Sequence, residues 1–135
     1  MLRPDCALYR GIAQIGFLDA KYRDVWERGL PPEWLYQLSI YALASPVHVS
    51  VLLYASMAPD ARDERVEVRQ PGLWTSKGLA SVILRPVLLS KLAELVDPAQ
   101  ARSMTAERRR WAEELVTPIT HNPAETGPRS DVKVL

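Results

Sequence analysis

Asp19 and Lys21 stand two apart in the otherwise apolar and aromatic stretch FLDAKYRD, residues 17–24. Strand side chains alternate faces with period two, so both project to one side while Leu18 and Ala20 project to the other. A second carboxylate, Asp5 in Arg3-Pro4-Asp5, belongs to an earlier extended run, and a hairpin would lay it beside Asp19. Two carboxylates and an ammonium would then converge, the inventory of metal-assisted phosphodiester hydrolysis. Mg²⁺ takes oxygen ligands in octahedral geometry and keeps several waters, so Asp5, Asp19 and the Ala20 carbonyl would suffice, with Mn²⁺ as a substitute. Such an ion would activate water and polarise a phosphoryl oxygen, while Lys21 would orient the attacking water or stabilise charge on the phosphorane. The plainer alternative is a solvated strand pair worth about 0–1 kcal/mol, beside a Pro-Asp turn dipeptide.

These residues need a scaffold. Residues 4–10 and 15–23 read as two strands of a hairpin joined through the Gly11–Gln14 region. DVWERGLPP, residues 24–32, turns the chain, and a helix opens behind Pro31-Pro32 with Glu33 in its first turn and runs to Ala44. On that helix Gln37 and Tyr41 are four apart, hence on one face, and are polar-tipped among Leu, Ile, Trp and Ala. The alternative for them is a Gln at the helix margin and a Tyr whose hydroxyl snorkels out of the core.

Pro46 stops the helix. VHVSVLLYASM then reads as a buried strand, PDARD as a turn, and DERVEVRQ as its half-exposed partner. LASVILRPVLLSKLAELV is ambiguous: its first half suits a strand and its second half a helix, with Pro86 near the change. A last helix spans roughly Pro98 to Val116, and from Thr117 the polar, proline-bearing sequence suggests a disordered tail. The expectation is an α/β fold, with a mixed sheet flanked by helices.

The 135 residues bound the chain to about one domain, and 17 basic against 16 acidic residues leave a net charge of +1 that excludes no partner, because a phosphate backbone feels a local patch. Cys6 is the single cysteine, which excludes a disulfide framework or a thiolate cluster. No long uninterrupted apolar run suggests a membrane span, and a cytoplasmic location is expected.

Pro4-Asp5, Asp19-Ala20-Lys21 and Gln37-x-x-x-Tyr41, in that order, resemble the PD-(D/E)xK nuclease superfamily, in the RecB-like branch with a Gln-x-x-x-Tyr helix. LDAKYRD followed by YQLSIYALA and VSVLLYAS is most similar to the McrC family, the nuclease subunits of modification-dependent restriction systems. The resemblance covers roughly residues 2–70, and more loosely to about 96. It implies a restriction-endonuclease-like domain over 1–116, followed by the tail 117–135, acting as a Mg²⁺-dependent DNA endonuclease. Asp5 and Asp19 would be metal ligands and Lys21 the catalytic lysine. Gln37 and Tyr41 would touch DNA phosphate or hold the carboxylates. It also implies a separate AAA+ GTPase motor subunit, since no Walker-type glycine loop occurs here.

Met1 stands four residues before Asp5, whereas the family often carries a covering helix with a further acidic ligand ahead of the Pro-Asp strand. A C-terminal portion of such a subunit is therefore expected. The alternative is a truncated, non-catalytic module that binds a motor subunit or DNA.

Other candidates are weaker. His48 and His121 lack partners at ligand spacing and read as a strand-edge residue and a solvated one. Arg102 and Arg108–Arg110 could form a phosphate-facing stripe, but they interleave with Glu107, Glu113 and Glu114, which favours a solvated helix face. Trp26 and Trp34 flank the Pro-Pro turn, to pack there or to stack on a base. Ser39, Ser50 and Cys6 have no His/Asp constellation for acyl chemistry.

Overall fold

The computed structural model describes residues 3–69, 78–100, 102–117 and 133–134. The chain runs β1 (Cys6–Arg10), β2 (Ala13–Lys21), α1 (Val25–Arg28), α2 (Pro32–Ala44), β3 (Val49–Ser56), β4 (Glu64–Val68), β5 (Ala80–Leu88), α3 (Leu89–Val96), a 3₁₀ turn (Pro98–Gln100), α4 (Thr105–Val116) and the two-residue β6 (Lys133–Val134). The strands form one mixed sheet in the order β1-β2-β3-β5-β4-β6, so the expected α/β architecture of a mixed sheet flanked by helices is observed.

The first hairpin closes through Gly11-Ile12, with Arg10 opposite Ala13. Gly11 has φ +61°, a left-handed value that the first position of a tight hairpin turn requires and that glycine adopts without a Cβ clash. β1 starts later than the sequence suggests, at Cys6, so Asp5 sits in a bend just ahead of the strand. β2 ends at Lys21, and Asp24 caps a short α1 through its Oδ1, which accepts the Glu27 N–H at 3.2 Å. α2 begins as its prolines dictate, with Pro31 as N-cap and Pro32 in the first turn.

β2, β3 and β5 are mutually parallel, which puts their carboxyl ends on one edge of the sheet. α2 lies over one face, where Leu38 and Ala42 pack against Leu52, Tyr54, Val66, Val82 and Leu84. Asp19 pairs with Leu52 in the β2–β3 register, and Leu52 with Leu84 in the β3–β5 register. The even spacing of a parallel ladder therefore sets Phe17, Asp19 and Lys21 on the α2 face, at the margin of the core.

Two sequence expectations are corrected. β4 is not the partner of β3: it runs antiparallel to β5, which inserts parallel to β3. VSVLLYAS is apolar on both faces and takes a central position covered from both sides, which alternation alone does not distinguish from a hairpin strand. The segment around Pro86 is strand as far as Leu88 and helix from Leu89, as its two halves suggest. Pairing with β4 stops at Leu84, so Pro86, which has no N–H to donate, falls where only β3 flanks β5 among the described residues. The last helix is also shorter than expected, because the 3₁₀ turn at Pro98 and the turn after it separate α3 from α4. Of the expected tail, only Thr117 and β6 fall within the described residues; β6 runs parallel to β4, with Val66 opposite Lys133.

Candidate active site

The β1–β2 register decides how the two carboxylates meet. Cys6 pairs with Leu18 and Ala7 with Phe17, so the same register carried outward sets Asp5 opposite Asp19 and Pro4 opposite Ala20. At position 4 the ladder breaks down chemically, because proline has no N–H. What is lost is the donation onto the Ala20 carbonyl; the Ala20 N–H is separately taken by the Asp5 side chain, whose Oδ2 accepts it at 2.9 Å. In a strand the N–H and C=O of one residue point the same way, so the Ala20 carbonyl faces this same side, where Pro4 offers it no donor. Pro-Asp thus leaves a backbone carbonyl beside a carboxylate that is held in place.

Asp19 is 2% exposed, whereas Asp5 lies at the surface. The Lys21 Nζ stands 2.9 Å from Asp19 Oδ2, and Lys21 is in turn seated over the Trp34 ring at 5.7 Å from its centroid. The two carboxyl groups interact directly, and their environments push them apart. The Ala20 N–H holds Asp5 below the usual carboxylate range, aided by Asp19. Burial pushes Asp19 upward, and the Asp5 carboxylate adds to this, while Lys21 opposes it. Lys21 is raised by its hydrogen bond to Asp19 and by both carboxylates, so its ammonium stays charged throughout the physiological range.

Gln37 and Tyr41 are brought to the same place. Gln37 Nε2 donates to Tyr41 Oη at 2.7 Å, and the Tyr41 ring packs against Phe17 of β2 at 5.9 Å between centroids. Tyr41 lies close enough to Lys21 for its hydroxyl to be felt by the ammonium. With Gln37 donating, the Tyr41 hydroxyl proton is left to point elsewhere in the site. All five side chains singled out from the sequence, and the Ala20 backbone, therefore gather at the carboxyl end of β2.

The donor set suits a hard divalent ion. Two carboxylates and a carbonyl match what Mg²⁺ takes from protein while keeping several waters, and a cation between Asp5 and Asp19 would remove the penalty that drives them apart. Among the described residues no group of three or more His, Cys, Asp or Glu side chains is placed to hold a metal ion.

The weaker candidates settle into structural roles. His48 is not on a strand edge: it occupies the turn after α2 with φ +54°, donating its N–H to the Ser45 carbonyl. His121 lies outside the described residues. Ser39 Oγ donates to the Leu35 carbonyl and Ser50 Oγ to that of Leu38, both at 2.7 Å. Arg108 Nε donates to the Leu95 carbonyl and ties α4 to α3, while Arg109 pairs with Glu113 one turn on. Exposed Cys6 is a free thiol.

Arg85 is the residue that sequence inspection passed over. It is 4% exposed, points away from α2, and grips Asp63 through Nε and Nη2 at 3.0–3.3 Å. Its Nη1 donates to the carbonyls of Glu114, Leu115 and Thr117 at 2.8–3.0 Å, serving the orphan carbonyls at the end of α4. An arginine inside SVILRPVLL was the available signal, since a buried guanidinium requires several partners.

Comparisons with protein-family models, with curated proteins and with solved structures returned no match. No helix among the described residues is long and apolar enough to cross a membrane.

Proposed function

We propose that this chain is a Mg²⁺-dependent DNA endonuclease domain of the restriction-endonuclease-like kind, similar to the McrC nuclease subunits. The observation that carries this reading is the meeting of Asp5, Asp19, Lys21, Gln37 and Tyr41 at one strand end, with the Ala20 N–H anchoring Asp5. Asp5, Asp19 and the Ala20 carbonyl would hold the ion, which supplies activation of water and charge neutralisation at the phosphate. Lys21 remains an ammonium, so it acts as an electrostatic clamp and hydrogen-bond donor toward a non-bridging phosphate oxygen rather than as a base. The Tyr41 hydroxyl, fixed by Gln37, donates to a phosphate oxygen or to a carboxylate. A separate GTPase motor that delivers the DNA, and a cytoplasmic setting, belong to the same proposal.

The test is nicking of plasmid DNA with Mg²⁺, Mn²⁺ or EDTA, with and without a cognate motor subunit and GTP. Cleavage should need the metal and vanish in Asp19→Asn. Cleavage that survives both Asp19→Asn and Lys21→Met would sink the proposal.

A second reading, a module that binds a partner chain or DNA without cutting, is favoured by the outer face of α2. There Tyr36, Ile40 and Leu43 form an apolar ridge at 68%, 50% and 46% exposure. It predicts partner binding with no metal-stimulated cleavage in any combination.

A further inference from the structure

Three tryptophans among the described residues each carry a cation over the ring. Lys21 sits over Trp34 at 5.7 Å, Arg62 over Trp26 at 5.6 Å and Lys91 over Trp111 at 5.5 Å. The three pairs come from remote parts of the sequence, yet the topology gathers them. Lys21 ends β2, Trp26 lies in α1 just beyond, Arg62 stands in the loop between β3 and β4, and Lys91 is in the first turn of α3 after β5. Because β2, β3 and β5 are parallel, all these positions lie at the carboxyl edge of the sheet, where open α/β sheets bind their ligands.

Beyond Trp26 this edge opens into a groove of about 610 Å³, bordered by Arg62, Lys91, Arg110 and Trp111. Three carboxylates also line it: Asp63, which is held by Arg85, Glu113, which pairs with Arg109 at the surface, and Glu114. Arg62, Lys91 and Arg110 are exposed, whereas Trp26 and Trp111 are half-buried, so the rings are set in the wall and the charges stand at the rim. The Asp63–Arg85 pair and the three carbonyls that Arg85 holds fix the α4 wall against the sheet.

We propose that this edge is the path of one nucleic-acid strand, running from the Asp5–Asp19 centre past Trp34 and Trp26 to the groove at Trp111. The identity of the ligand rests on the nuclease reading. In each pair the cation covers the ring, so a base takes its place on the ring as the cation turns to a phosphate. Stacking of this kind selects single strands over duplex, because bases inside a duplex already have both faces occupied by their neighbours. The path therefore names the substrate class of the site as unpaired or locally opened nucleic acid.

The experiment measures binding without cleavage, on the full chain in EDTA. A labelled twelve-nucleotide single strand is titrated by anisotropy and by tryptophan quenching, beside a hairpin duplex of equal length. The single strand should bind at least about tenfold more tightly than the duplex and quench the tryptophans, because only unpaired bases reach the rings. Lys91→Glu with Arg110→Glu should weaken single-strand binding about tenfold or more, and should lower the slope of log K against log salt by about 1.4 if each removes one phosphate contact. Trp111→Ala should weaken it about 5- to 100-fold, and Trp111→Phe, which keeps a stacking face and the fold, should recover most of that.

Duplex binding as tight as single-strand binding would overturn the proposal. So would charge reversals that leave affinity and salt slope unchanged in a chain with an unaltered thermal melt. The two proposals fail separately. Metal-dependent cleavage with groove variants that bind normally retains the nuclease and removes the path. Single-strand binding that depends on the groove, with no cleavage under any metal, does the reverse.

Discussion

The Asp5 carboxylate accepts the Ala20 N–H at 2.9 Å, where a strand would present a main-chain carbonyl, while Pro4 leaves the Ala20 carbonyl without a donor. One residue pair thereby does two things. It fixes a carboxylate that lies at the surface, and it turns the neighbouring Ala20 carbonyl toward the same point. Pro4→Ala tests this directly. The new N–H can extend the β1–β2 ladder onto the Ala20 carbonyl, so Mg²⁺ or Mn²⁺ affinity by calorimetry should fall several-fold with the fold intact. Unchanged affinity would remove Ala20 from the ligand set.

Asp19 makes a prediction about stability without metal. Its carboxyl is raised, so between the unfolded and folded pKa values the native state binds more protons, and stability falls as pH rises through that window. Asp5 is lowered and acts oppositely: its contribution is present above its unfolded pKa and is lost as pH falls through the folded one. At pH 7 Asp19→Asn should therefore leave the metal-free melting temperature unchanged or raised. The wild type should gain about 2.7 kcal/mol when Mg²⁺ is at 100 times its Kd, and the variant none, by thermal melts with and without metal.

Metal binding should follow the same carboxyl. Asp19 must be ionised to serve as a ligand, so affinity should decline with acidification beginning above the ordinary aspartate value of 3.8, in a calorimetric pH series. A midpoint below that value would contradict the burial of Asp19 as its governing influence.

Lys21 is raised and so cannot serve as a general base near neutrality. Lys21→Met should cost about 10²–10³ in the cleavage rate, the scale of losing one donor to a developing anion, whereas Lys21→Arg, which keeps the charge, should retain more. The wild-type rate should show no titration attributable to a lysine between pH 6 and about 9.

Arg85 is predicted to outweigh every site residue in stability. Truncation to Ala strands the Asp63 carboxylate and three carbonyls at the end of α4, a loss of about 3–5 kcal/mol in urea unfolding. Hydrogen exchange should show α4 released first. Tyr41→Phe, by contrast, removes one hydrogen bond to Gln37 and keeps the ring against Phe17, so its stability loss should stay near 1 kcal/mol.

The sequence by itself determined the local elements and the list of reactive side chains. Period-two alternation set Asp19 and Lys21 on one face, the Pro31-Pro32 pair opened α2, and the four-residue spacing put Gln37 beside Tyr41; each depends only on neighbours along the chain. The tertiary structure decided the rest, because it rests on contacts between distant segments. No local pattern could say that β5 would insert between β3 and β4, since either neighbour satisfies an apolar strand. The same holds for the Arg85 clamp, whose partners lie 22 to 32 residues away, and for the Lys91–Trp111 and Arg62–Trp26 pairs. The opposite shifts of Asp5 and Asp19 also belong to the fold. Two aspartates have one intrinsic acidity, and only burial of the second and a backbone N–H on the first separate them.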